Sequence, residues 1–96
     1  MSYNSSERNQ IHGIIINLRD AVRADGVKAA DHWRGSLGSY TGLGDPIRNN
    51  VTELFALSGL WVRNRRDRAE LKPKIFQLVE RLLRILTDPD IYRLAP

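Results

Sequence analysis

The apolar spacing between Ile75 and Leu86 leaves this chain few folds to choose from. Ile75, Phe76, Leu78, Val79, Leu82, Leu83, Ile85 and Leu86 recur at helical intervals on one broad face, while Lys74, Gln77, Glu80, Arg81 and Arg84 take the other. With Pro73 as the first helical residue, the spacing predicts an amphipathic helix to Leu86. Burying side chains of this size yields roughly 1.5–3 kcal/mol each. Ordering each residue costs about 1–2 kcal/mol in return. A helix with so wide an apolar face needs other elements to cover it.

The remaining chain supplies them. Ser5 or Ser6 caps a first helix that has Glu7 in its opening turn, where a carboxylate suits the positive end of the dipole. Ile11, Ile14, Ile15, Leu18, Ala21 and Val22 form its stripe, and Asp25-Gly26 ends it as a glycine stop. Val27 to Leu37 predicts a second, shorter helix with Val27, Ala30, Trp33 and Leu37 facing inward, and Trp33-Arg34-Gly35 reads as a core Trp followed by a helix-ending Gly. Gly35 to Gly44, GSLGSYTGLG, is the longest expected loop. It lacks both the Gly-Lys-Ser/Thr ending and the preceding strand of a phosphate-cradling loop.

Asp45-Pro46 is a cap followed by a first-turn proline and opens a third helix. Ile47, Val51, Leu54, Phe55, Ser58, Trp61 and Val62 share its face, which predicts a helix to about Arg66. Lys72-Pro73 then predicts a break, because the residue before proline is pushed out of the helical region. Asp88-Pro89 repeats the cap-and-proline signal and predicts a final turn. The expectation is one all-α domain over residues 1–96: a compact bundle of four to five helices, antiparallel neighbours, one Gly-rich loop, and residues 1–4 disordered.

The chain has no Cys, which excludes disulfides, thiolate metal sites and cysteine nucleophiles. Its apolar runs are too short to span a bilayer, and the polar start MSYNSSERNQ has no apolar signal core, so a cytoplasmic protein with no membrane partner is expected. His12 and His32 have no ligand-spaced partners, and neither a nucleophile elbow nor a carboxylate pair is evident. No cofactor and no catalytic activity are expected. Charge is the stronger functional signal. From Trp61 to Lys74 six basic residues (Arg63, Arg65, Arg66, Arg68, Lys72, Lys74) face two acidic ones, a surplus equal to the whole net charge of +4. A field gathered in one place suits a polyanion or an acidic protein surface.

From Asp45 onward the layout resembles the small all-helical backbone subunits of type III CRISPR effector complexes. The residues that carry the resemblance are Ile47-Arg48, then Arg63, Arg65 and Arg66, then Leu71-Lys72-Pro73-Lys74-Ile75, and Arg81. It implies a non-catalytic subunit that stacks in several copies along a guide–target duplex, with Arg48, Arg63, Arg65, Arg66, Lys74 and Arg81 on its backbone. The combined expectation is a non-enzymatic nucleic-acid-binding module, for RNA or DNA, that contacts phosphates through Arg48, Arg63, Arg65, Arg66, Arg68, Lys72, Lys74 and Arg81. The alternative is a protein-interaction module: an adaptor, an inhibitor or a homo-oligomer that turns the same corner toward an acidic partner.

Overall fold

The cap-and-proline signal at Asp45-Pro46 works in the structure as read. In the computed structural model, which describes residues 5–87, the Asp45 carboxylate accepts a hydrogen bond from the Arg48 backbone N–H at 2.8 Å and Pro46 opens the helix. Four helices result: α1 (Ser5–Arg23), α2 (Val27–Leu37), α3 (Pro46–Arg63) and α4 (Arg68–Thr87), with 3-10 turns at Gly38–Tyr40 and Arg65–Asp67. Helix accounts for 89% of the described residues, and none of them is in a strand. The expected residues 1–4 and the turn after Asp88 lie outside the described residues.

The helices form a closed ring in which α1 packs on α2, α2 on α3, α3 on α4, and α4 back on α1. Hydrogen bonds between ends show that neighbours run antiparallel. Tyr40, just past α2, donates to Gln10 early in α1 at 2.6 Å. Lys72 early in α4 reaches Asp25, just past α1, at 2.9 Å, and Arg8 donates to the Leu86 carbonyl in the last turn of α4 at 2.7 Å. The core is the set of apolar stripes: Ile11, Ile15, Leu18 and Val22 from α1, Ala30 and Leu37 from α2, Ile47, Val51, Leu54 and Trp61 from α3, Ile75 and Leu82 from α4, all fully buried. Ser58 is buried among them because its hydroxyl donates back to the Leu54 carbonyl at 2.6 Å, leaving no unmet donor. Ile14, Val27, Trp33, Phe55, Val62, Phe76 and Leu83, expected inward, are only partly buried at the edges of this core.

The turn after α1 stops the helix as Asp25-Gly26 predicted, with the roles of the two residues exchanged. Asp25 takes the left-handed conformation at φ 56°, while the N–H groups of Asp25 and Gly26 bond the Val22 and Ala21 carbonyls at 3.0 and 2.8 Å. The Lys72 ammonium beside the Asp25 carboxylate adds a partner there.

Helix α2 spans Val27–Leu37 as expected and passes through Gly35, which therefore does not end it. Two boundaries differ from expectation: helix α3 ends at Arg63 rather than Arg66, and α4 begins at Arg68, so Pro73 lies inside a helix instead of starting one. Tertiary contact explains the last. Leu71 is buried and Arg68 is bonded to α3, which holds the turn before Pro73 in helical form. Pro73 and Ala69 are both exposed, so the Ala69 carbonyl that loses its donor faces water. Pro73→Ala is therefore expected to stabilise the domain by about 1–2 kcal/mol, the interior-proline penalty less the entropy proline removes from the unfolded chain. Urea unfolding of the two proteins measures it; a loss of stability would mean that α4 does not pass through residue 73.

Candidate nucleic-acid interface

The corner between α3 and α4 is built from backbone bonds. Asn64 leaves helical geometry at φ −105°, ψ 87°, with its N–H on the Leu60 carbonyl at 2.7 Å and its own carbonyl accepting from Asp67 N–H at 3.1 Å. Arg63 ends α3, and Arg65 and Arg66 sit on the 3-10 turn that follows. All three are exposed, and no hydrogen bond or ion pair among the described residues engages their guanidinium groups. Asp67 and Glu70 share the corner and are exposed in turn, without an ion pair to these arginines.

The other expected contact residues divide. Arg68 turns inward: its Nε and Nη2 donate to the Trp61 and Val62 carbonyls at 2.8 Å each, and its guanidinium lies 5.3 Å from the Trp61 ring centre. Those carbonyls belong to the last turn of α3, where no intrahelical donor reaches them. Lys72 is held by Asp25 and the Arg23 carbonyl at the end of α1. Arg48 sits in the first turn of α3, paired with Asp45 at 3.2 Å, about 22 Å along the helix from Arg63. Three residues of the expected set are thus committed to fold contacts. Lys74 and Arg81 are exposed on α4, where they line an open groove against α3 together with Glu53, Leu57, Gln77 and Leu78. Of the expected contact set, the cations that remain available are those at the corner and along this groove edge.

Arg34 carries a role the sequence reading missed. Its guanidinium stacks 4.0 Å over Phe55 and donates to the Phe55 carbonyl at 3.3 and 3.2 Å, clamping α2 onto α3. Gly59 makes room for it, since a Cβ there would lie 2.9 Å from Arg34 Nη2. The legible signal was a glycine in the middle of a strongly periodic helix.

The glycine-rich stretch is shorter and tighter than expected. Only Thr41–Asp45 is irregular, and its amides are already used: Gly42 N–H bonds Thr52 Oγ1 at 2.8 Å and Gly44 N–H bonds Asn49 Oδ1 at 3.2 Å. Gly44 at φ 116° needs to be glycine. Amides satisfied by α3 side chains are not free to cradle a phosphate. His12 and His32 lie on α1 and α2, and among the described residues no three His, Cys, Asp or Glu side chains gather as metal ligands. No described helix is long and apolar enough to cross a membrane. No protein-family model, curated protein or solved structure matches this chain.

Proposed function

We propose that the chain is a non-enzymatic module that binds the phosphate backbone of nucleic acid through Arg63, Arg65 and Arg66, with Lys74 and Arg81 as flanking contacts. What supports the reading is the placement of three neighbouring arginines on one hydrogen-bonded corner, exposed and without a hydrogen-bond or ion-pair partner among the described residues. Guanidinium groups in that state offer planar forks to phosphate oxygens. Two rigid helix ends fix their spacing. The sequence carries no helix-turn-helix recognition pattern, so the proposed contacts are with backbone and read little sequence. Stacking of copies along a guide–target duplex, which the resemblance to type III CRISPR backbone subunits implies, is the narrower form of the same proposal.

Salt-dependent binding tests it. Five phosphate contacts on single-stranded RNA predict a log–log salt slope of about −3.5, so affinity falls roughly 100-fold between about 50 and 200 mM salt. Replacing Arg63, Arg65 and Arg66 together by Ala should reduce that loss to under about 10-fold and weaken binding equally across sequences. Fluorescence anisotropy with labelled RNA and DNA measures both. A slope near zero, or a triple variant that binds as the parent does, refutes the proposal.

A further inference from the structure

The groove between α3 and α4, whose Lys74 and Arg81 the phosphate-binding proposal draws on, also carries leucine surface and an opposing Glu53 that it does not use. Its lining is mixed: Leu57, partly buried, and Leu78, nearly covered, lie among polar and charged side chains, and Leu60, one turn on from Leu57 along α3, is 38% exposed, one of two large apolar side chains exposed among the described residues. Its walls carry opposite charges: Glu53 on α3, Lys74 and Arg81 on α4. None of the three takes part in an ion pair or hydrogen bond among the described residues. A purely acidic ligand would meet Glu53, and a purely basic one would meet Lys74 and Arg81.

We infer that this groove docks a second copy of the same chain. A two-fold axis running along the groove lays α3 of each copy on α4 of the other. Glu53 then meets Arg81 of the partner subunit, Arg81 meets the partner's Glu53, and Leu57 and Leu60 of both copies are covered between them. An interface of this kind must be self-complementary, and a strip with one sign on each wall is. The face measures about 30 Å by 20 Å from the helix lengths and width, near 600 Å² per copy, at the lower edge of specific interfaces. The dimer is accordingly weak and reversible. Because the axis parallels the helices, both Arg63–Arg66 corners come to the same end and form one wider basic surface.

Charge reversal tests this on protein freed of nucleic acid. Sedimentation or light scattering at concentrations up to about 1 mM should show the parent approaching twice the 11.0 kDa chain mass. Glu53→Arg and Arg81→Glu each place like charges opposite one another twice, and each should weaken dimerisation on the order of 100-fold or more. Combined in one chain they restore the pairing and should restore the dimer. Both substituted side chains are exposed, and unchanged circular dichroism and melting identify variants that fold as the parent does. A parent that stays monomeric throughout overturns the inference. So does a dimer indifferent to either reversal, or a double variant that stays as weak as the singles.

Discussion

Trp61→Ala should cost about 3–5 kcal/mol, a large part of the 5–15 kcal/mol that typically holds a domain of this size. Trp61 is fully buried at the C-terminal end of α3, the largest side chain in the core, and no smaller residue fills its volume without a cavity. Its ring also receives the Arg68 guanidinium, so truncation loosens the corner that orients the exposed arginines. Trp61→Phe should cost distinctly less, because most of the ring remains and the indole N–H, which has no acceptor among the described residues, is removed. Urea titration followed by circular dichroism gives both values. A near-neutral Trp61→Ala would show that α3 and α4 do not close over this position.

Arg68→Ala should lose about 2–3 kcal/mol, since it removes two charge-assisted hydrogen bonds and leaves two partly buried carbonyls without a donor. Arg68→Lys should recover less than half, because an ammonium cannot span both carbonyls as the guanidinium fork does. The contrast with its neighbours makes the result specific. Arg65→Ala, three positions away in the same basic run, should change stability by less than about 0.5 kcal/mol while weakening phosphate binding. Thermal melts and anisotropy on the same two proteins measure the separation. Equal losses of stability at both positions would show that Arg68 is no more committed to the fold than the others.

That separation marks where reading the chain by pattern stops. Ile11, Ile15, Leu18 and Val22 on α1, and Ile75, Leu78, Leu82 and Leu86 on α4, were legible because a helix repeats every 3.6 residues and burial follows the repeat. Asp45-Pro46 was legible because a cap and a proline act within one turn of chain. The use of each basic residue was not. Arg63, Arg65, Arg66, Arg68 and Lys72 look equivalent in sequence, and only the distance of each guanidinium or ammonium from another element's carbonyls or carboxylates separates anchors from available cations.

Pro73 and Gly35 taught the same lesson in the opposite direction. Both are local stop signals worth about 1–3 kcal/mol, and in each case the helix continues. At Pro73 the burial of Leu71 and the Arg68 bonds outweigh the penalty; at Gly35 the burial of Leu37 two residues on does so. The sequence by itself determined four amphipathic rods and a surplus of positive charge near residue 65, because periodicity and charge are properties of neighbours along the chain. The tertiary structure decided where the rods end, which cations remain unengaged, and that a groove with Glu53 on one wall and Arg81 on the other lies open between α3 and α4. Those depend on groups far apart in sequence meeting in space, and no local pattern encodes such meetings.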